Sequence, residues 1–322
     1  MPAPVSVVVP THQRSHLLPR VLTPLLEDPA VREVLVVVDG EDEGAVQVLD
    51  ALAADDHRLR RLASPRRGGA AARQHGASCS TGDVVLFLDD DVVPDAHLAA
   101  GHAAAHESAR DGEDLVVVGY MPTATGQGGL ERFATELYAA EYEAVCRAYE
   151  RDEEEVLRRL WGGNISVPRR LLEHVPYESA DFTTTNHSDR DFGLRCLRHG
   201  ARGVFRRELG AQHVHTRLLP HFLRDAYRQG AGRAQIHLHH RDLVGDLDAG
   251  RTLRGLPAPL RLLVSLDSHD VVRRPLSAAL LALSRLSLAV GWDRGLSVSA
   301  RLLRRLETRR GEREFLAGPD AR

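Results

Sequence analysis

Three consecutive carboxylates, Asp89, Asp90 and Asp91, follow an apolar run from Val84 to Leu88. Such a run predicts a strand covered on both faces, which delivers the acids to its C-terminal edge. Open α/β sheets hold their ligands at that edge. Adjacent carboxylates repel one another unless a cation neutralises them. Hard divalent ions such as Mg²⁺ or Mn²⁺ take oxygen ligands and share their shell with phosphates. One reading is therefore a metal and diphosphate site. The other is a solvated acidic turn in which Asp91 or Asp95 caps the next helix. If the extended backbone persists, Asp89 and Asp91 point to one side and Asp90 to the other, which makes Asp90 a bystander of that pair.

Other residues suit the same chemistry. Asp39 ends a second apolar run and precedes Gly40. That places it at the sheet's ligand crevice, with turn capping as the alternative. Thr11 and Arg14 follow the first apolar run, Val5 to Pro10. Arg73 lies one turn into a helix opened by Gly68 and Gly69, and a helix N-terminus with an arginine favours an anion. His213 and His215 are two apart, so on a strand they share a face, and one could complete a metal shell. The sequence does not choose between them. Asp189 and Asp191 open a helix, where acids at least complement the dipole.

The elements that must position these residues alternate over the first 120 positions. Strands are expected at 5–10, in "VREVLVVVDG", near 59–62, at 84–88 and at 115–120. Helices are expected at 17–26, through "DEGAVQVLDALAADD", through "GGAAARQHGASCS" and from Asp95 to about Arg110. Repeated β-α-β units predict a mostly parallel, doubly wound sheet. Farther on, a charged helical stretch covers roughly 130–160 and ends in the loop "WGGNISVPRR". "SDRDFGLRCLRHGA" predicts a helix, and "ARGVFRRELGAQHVHTR" predicts two short strands. From Leu218 the chain is helical and rich in arginine.

Composition narrows the classes. The 322 residues are 43% hydrophobic and 27% charged with a net charge of −3, enough for one large domain, or for one domain with a helical appendage, and with no sign of a nucleic-acid surface. All 42 basic residues are arginine. This excludes a P-loop lysine, a Schiff-base lysine and a lysine base, and leaves a good phosphate binder. Three scattered cysteines, Cys79, Cys146 and Cys196, lack metal-ligand spacing and predict free thiols in a reducing compartment. The N-terminus lacks signal-peptide features, and no long uncharged apolar stretch predicts a membrane span. A cytoplasmic protein, or one peripheral at the inner face of a membrane, is expected.

In this order the motifs resemble the family-two glycosyltransferases, nucleotide-sugar enzymes of the GT-A fold. The resemblance runs from Val5 to about Gly232. "VSVVVPTHQR" is similar to the opening strand and donor loop, and "VLVVVDGEDEG" to the strand whose aspartate contacts the base. "GGAAARQHGASCSTGDVVLFLDDDVVPD" resembles the Gly-Ala-Arg helix and DXD strand. "WGGNISVPRR" resembles the acceptor loop, and "SDRDFGLRCLRHG" the helix with the catalytic base. "HVHTR" with "FLRDAYRQGAGR" resembles the closing metal-ligand segment. The organisation implied is a catalytic domain at 1–235, with a nucleotide-sugar half at 1–120 and an acceptor half at 121–235. A helical extension follows at 236–322.

The resemblance implies these roles. Thr11, Arg14, Asp39, Arg73, Asp89 and Asp90 line the nucleotide-sugar donor, with Asp39 accepting from the base, typically uracil N3–H. Asp91 is the main metal ligand, joined by His213 or His215. Asp189 is the general base, although Ser188 replaces the acid that usually precedes it. Trp161, Gly162, Gly163 and Asp191 border the acceptor and donor sugar, where an indole face can stack on a ring. The implied reaction is a metal-dependent, inverting displacement on a UDP-sugar, with a saccharide, lipid-linked or small-molecule acceptor. The region "RQGAGRAQ" lacks the tryptophan of processive synthases, which favours transfer of one sugar. Two rivals stand beside it: a nucleotidyltransferase, disfavoured by a first loop without glycine, and a non-catalytic sugar-binding scaffold. The tail from about Arg251 fits amphipathic helices, which predicts packing on the catalytic domain, a homodimer contact or a place on an anionic membrane.

Overall fold

The computed structural model describes residues 3–110, 112–124, 129–184, 186–214, 219–248, 250–265 and 270–318. Contacts divide the chain into two units. One comprises 1–124, 139–183 and 188–215; the other comprises 125–138, 184–187 and 216–322.

The first unit opens with β1 (Val5–Thr11), α1 (Leu18–Glu27), β2 (Val31–Val38), α2 (Glu43–Asp55), β3 (Leu59–Ala63), α3 (Gly69–Ser78) and β4 (Val84–Leu88). β1, β2 and β4 are valine-rich and buried along nearly their whole length, as strands sandwiched between helices must be. They pair in parallel, with β3 outside β2. Then come β5 (Val92–Pro94), α4 (Leu98–Glu107), β6 (Leu115–Tyr120), α5 (Gly129–Arg151), which belongs to this unit from residue 139 onward, α6 (Glu154–Arg158), β7 (Asn164–Pro168), α7 (Arg169–His174), α8 (Ser188–His199) and β8 (Arg202–His213). The sheet order is β3-β2-β1-β4-β7-β6-β8-β5.

The sheet is mixed rather than uniformly parallel. β7 runs antiparallel to both β4 and β6, and β5 antiparallel to β8. The helix expected from Asp95 begins at Leu98 because Val92 to Pro94 leave the acidic turn as a strand. The two strands expected in 201–217 form one, β8, but with two partners. Its first half pairs in parallel with β6 up to Arg206 opposite Gly119; the register then jumps to Gly210 opposite Tyr120. Its end, Ala211 to His213, pairs with β5. The polar residues Arg206, Arg207 and Glu208 mark this jump. Apolar side chains fill both faces of the sheet, with Val7, Val9 and Leu86 on one and Val8, Val85 and Phe87 on the other. The three cysteines are free, with Cys146 and Cys196 buried and Cys79 half-buried.

The second unit is helical: α9 (Leu219–His239), α10 (Arg241–Val244), α11 (Ala258–Ser265), α12 (Asp270–Ala289) and α13 (Asp293–Ala317). The boundary expected between 235 and 236 falls inside α9, a single helix whose glycines serve packing. A β-carbon on Gly230 would meet the Thr308 carbonyl of α13, and one on Gly311 would meet the Tyr227 carbonyl of α9. "RQGAGR" is thus a close helix crossing. Leu280, Leu302, Leu303 and Leu306 form the unit's apolar core. No helix among the described residues is long and apolar enough to cross a membrane.

Candidate active site

The acidic turn sits where the sequence places it, at the end of β4. The chain turns at once, since the Val92 N–H reaches the Asp89 carbonyl at 3.1 Å. Side-chain alternation therefore stops at Asp89, and the expectation for Asp90 fails. Asp90 is buried and engaged: it accepts from Thr11 Oγ1 at 2.9 Å, from the His12 N–H at 3.3 Å and from Arg14 Nη1 at 2.7 Å. It ties the β1 loop to the β4 turn. Burial pushes its carboxyl pKa up, with Arg14 opposing and Asp91 reinforcing the shift.

Arg14 also reaches Asp91, with Nη1 2.9 Å from Oδ2. Burial works against the guanidinium charge, but Asp91 and Asp90 outweigh it and raise the Arg14 pKa. Asp91 Oδ2 lies 3.4 Å from His213 Nε2. The His213 Nδ1 faces Thr123 Oγ1 at 3.2 Å, so the threonine orients the ring and turns Nε2 toward the acid. Backbone bonds brace the pair: Val214 N–H to the Asp91 carbonyl at 2.8 Å and His213 N–H to the Pro122 carbonyl at 3.1 Å. His215, the other histidine expected here, lies outside the described residues.

The donor set fits a divalent ion in part. One carboxylate oxygen and one imidazole nitrogen 3.4 Å apart suit two neighbouring ligands of one ion, which sit roughly 3 Å apart at a right angle. Among the described residues no three His, Cys, Asp or Glu side chains gather for a metal. The remaining ligands would be phosphate oxygens and water, the usual habit of Mg²⁺ and Mn²⁺. Asp91 and His213 are the residues that would hold the ion.

Asp89 faces another partner. Its carboxylate pairs with the Arg73 guanidinium, which α3 presents one turn from its start. The attraction of Asp89 overcomes burial and raises the Arg73 pKa. The guanidinium lies 5.6 Å from the centre of the Tyr177 ring, and its Nε is buried without a hydrogen-bond partner. Tyr177 is a site residue the sequence did not disclose; nothing in "HVPYESADF" sets it apart.

Asp39 lies at the end of β2, next to β1, its backbone N–H bonded to the Thr11 carbonyl at 2.9 Å. Its Oδ2 accepts from the Gly68 N–H at 2.9 Å, while Oδ1 is buried and unpartnered. An orphaned buried carboxylate oxygen is costly, and a nucleobase N–H is a donor of the kind it lacks. Arg67 Nη1 donates to the Asp39 carbonyl at 3.1 Å and closes the turn.

On the far side of β4 lies the glycine loop before β7. Asp189 Oδ2 accepts the Gly162 N–H at 2.7 Å, and Oδ1 the Arg190 N–H at 2.8 Å. Burial pushes the Asp189 carboxyl pKa up. The two N–H groups and Arg73 pull it down, and Asp89 pushes it up again. Gly163 has φ +108°, and a β-carbon there would lie 2.9 Å from Asp89 Oδ2 and 2.9 Å from Met121 Sδ. Only glycine brings this backbone so close to the acid. Trp161 packs edge-on against Tyr142 at 5.4 Å between ring centres. Asp191 does not join Asp189: two residues along a helix is about half a turn. It is buried and paired with Arg195 at 2.8 Å, and Arg195 Nη2 holds the Tyr177 carbonyl at 2.8 Å. The structure brings Thr11, Arg14, Asp90, Asp91 and His213 into one cluster, and Arg73, Asp89, Gly162, Gly163 and Asp189 into a second that meets it at β4.

The chain is similar to known proteins in sequence and in fold. The profile of "Glycosyl transferase family 2" matches residues 6–207. An "Uncharacterized glycosyltransferase YfnE" of Bacillus subtilis (strain 168) is 26% identical over 191 residues, 59% of this chain and 43% of that protein, so the chain spans less than half of that relative. Among solved structures, the mannosyltransferase PcManGT from Pyrobaculum calidifontis, in complex with GDP-Man and Mn²⁺, matches with a TM-score of 0.56 at 18% identity. The match covers 96% of this chain and 87% of that one. Glucosyl-3-phosphoglycerate synthase from Mycobacterium tuberculosis, in complex with UDP, matches with a TM-score of 0.53 at 18% identity, over 77% and 82% of the two chains. These likenesses give the GT-A fold with C-terminal helices. The match disfavours the nucleotidyltransferase alternative, and the chain belongs to Glycosyl transferase family 2.

Proposed function

We propose that the enzyme moves a sugar from a nucleoside diphosphate sugar, UDP-linked by preference, to an acceptor hydroxyl in one metal-dependent displacement that inverts the anomeric carbon. The observation that carries this reading is the position of Asp189. A carboxylate held by the Gly162 N–H, with its pKa raised by burial, stands across the β4 edge from Arg73 and Asp89. A base and an anion-binding arginine thus flank one crevice, the arrangement an in-line displacement requires.

The chain's own groups divide the work. Asp39 Oδ1 accepts from the base, and a uracil N3–H satisfies it. The guanidinium of Arg73 faces the diphosphate, and Arg14 stands on its other side beside Asp91. A divalent ion bound by Asp91 and His213 would neutralise charge on the diphosphate. Asp189 accepts the proton of the acceptor hydroxyl as its oxygen forms a bond to C1. The bond from C1 to the diphosphate oxygen breaks with its electron pair, and nucleoside diphosphate leaves. Arg73, held by Asp89, and Arg14, held by Asp90 and Asp91, supply the positive charge that stabilises the leaving group.

The test is thermal stabilisation by UDP, GDP and dTDP, each with and without Mn²⁺, followed by a screen of sugars on the nucleotide that binds. A ligand that binds only the folded chain raises its melting midpoint by mass action. The reading requires a shift with one nucleotide that grows with Mn²⁺, then release of that diphosphate and a product of opposite anomeric configuration. Retention of configuration, or a shift indifferent to metal, would overturn it.

A further inference from the structure

The α12–α13 turn buries serines and exposes a patch of large apolar side chains. Ser284, Ser287 and Ser299 are fully buried between the two helices, and Ser284 and Ser299 share a hydrogen bond of 2.7 Å. Beside the buried Leu296, four larger apolar side chains at the turn point outward: Leu286 is 61% exposed, Val290 66%, Trp292 52% and Val298 50%. The outer face of α12 continues this surface with the exposed Ala278, Ala279, Ala282 and Ala289. Farther along, the two helices bury leucines in the ordinary way, so the exposed patch is confined to the turn and the outer face of α12. Exposed apolar side chains gathered in this way mark a surface that something covers.

The flanking charges say what covers it. Arg285, Arg294 and Arg301 are exposed at the rim, and no described carboxylate pairs with any of them. Arg294, Val298 and Arg301 recur on one face of α13, at the four- and three-residue spacing of a helix. Asp293 is the one acid at the turn. A second copy of the chain packed symmetrically on this patch would set like guanidiniums against one another. An anionic bilayer neutralises them and takes up the leucine, the valines and the indole at the depth tryptophan prefers.

We propose that the α12–α13 turn is a docking surface for an anionic membrane, entered by Leu286, Val290 and Trp292 and held by Arg285, Arg294 and Arg301. The surface lies in the helical unit and goes beyond the catalytic reading, so its test makes no use of sugar transfer. The full chain is sedimented with vesicles of phosphatidylcholine alone, or mixed with phosphatidylglycerol, at low and high salt. Tryptophan emission is recorded in parallel.

Binding to the mixed vesicles is expected, falling with salt and accompanied by a blue shift. Trp292→Phe should remove the shift, since Trp161 packs on Tyr142. The double change Leu286→Ser and Val290→Ser should weaken binding by about tenfold or more. Both substituted positions are exposed, so unfolding is not expected, and an unchanged melting midpoint checks it. The proposal is overturned if the chain ignores anionic vesicles, or binds neutral and anionic ones alike. It is equally overturned if light scattering shows a dimer that Leu286→Ser with Val290→Ser converts to monomer while vesicle binding stays as it was.

Discussion

The backbone N–H of Gly162 donates to Asp189 Oδ2 at 2.7 Å, so the loop before β7 and the first turn of α8 are joined at the carboxylate we assign as the base. With the Arg190 N–H on Oδ1, the two bonds fix both oxygens of the carboxylate. The Gly162 bond also ties the base to the backbone beside Gly163, which touches Asp89. Loss of either partner should be read in turnover more than in donor affinity.

Asp189→Asn keeps the shape and one of the two backbone bonds, that to Gly162 or that to Arg190, but cannot take a proton. Turnover should fall by roughly 10²–10⁴, with stabilisation by nucleotide and Mn²⁺ unchanged. The pH profile of the parent carries the same information. The carboxyl pKa is raised by burial, so the acid limb of kcat/KM should lie above the ordinary aspartate value of 3.8. Activity should fall as pH drops through that limb, because the protonated acid is no base. A limb at or below 3.8 would exclude Asp189 as the titrating group.

Asp39→Ala removes the buried oxygen that lacks a partner, along with the acceptor for the Gly68 N–H. UDP binding should weaken by about 1–2 kcal/mol, the worth of a buried hydrogen bond, or some tenfold in Kd. Calorimetric titration with UDP measures this directly. Equal affinity for UDP in parent and variant would remove Asp39 from the base pocket.

Much of the site was legible because an apolar run that ends in acids has few alternatives. Asp39, Asp89 and Asp91 stand at strand ends for that reason. The role of Asp90 was not legible, because alternation holds only while the strand continues, and the Asp89 turn ends it. Arg14 and Asp91 meet across two strands that no local pattern links. β8 read as two strands because its register jumps between Arg206 and Gly210. Tyr177 and Asp191 depend on how α8 packs, through Arg195, against the segment after α7.

A buried polar network beneath β7 also escaped the sequence, although His102 and His106 are one helical turn apart in an alanine-rich stretch. His102 Nδ1 and His106 Nε2 both reach Ser166 Oγ at 2.8 Å, and His102 Nε2 reaches Asn164 Oδ1 at 2.9 Å. Burial pulls their pKa values down, to about 3 for His102 and about 4 for His106. The unfolded chain binds these protons near pH 6.5 and the folded chain does not. Stability is therefore full above pH 6.5 and declines as pH falls toward 3. By pH 5 each histidine should cost about 2 kcal/mol. Urea unfolding at pH 7.5 and pH 5 measures the loss. In His106→Gln the difference between the two pH values should shrink by about half, and an unaltered difference would place the acid sensitivity elsewhere.

The crossing of α9 and α13 gives a prediction for the helical unit alone. Both helices approach through glycine, Gly230 against the Thr308 carbonyl and Gly311 against the Tyr227 carbonyl. Alanine has the better helix propensity by about 1 kcal/mol, so on an open face either substitution would stabilise. Here a methyl group meets backbone, which cannot swing aside as a side chain can. Overpacking of this kind typically costs about 1–3 kcal/mol, more than the propensity gain at most sites. Gly230→Ala and Gly311→Ala should each lower the melting midpoint. Each pushes the same two helices apart, so the double variant should lose less than the sum of the singles. A rise in the midpoint with either substitution would mean that the helices do not cross at these glycines.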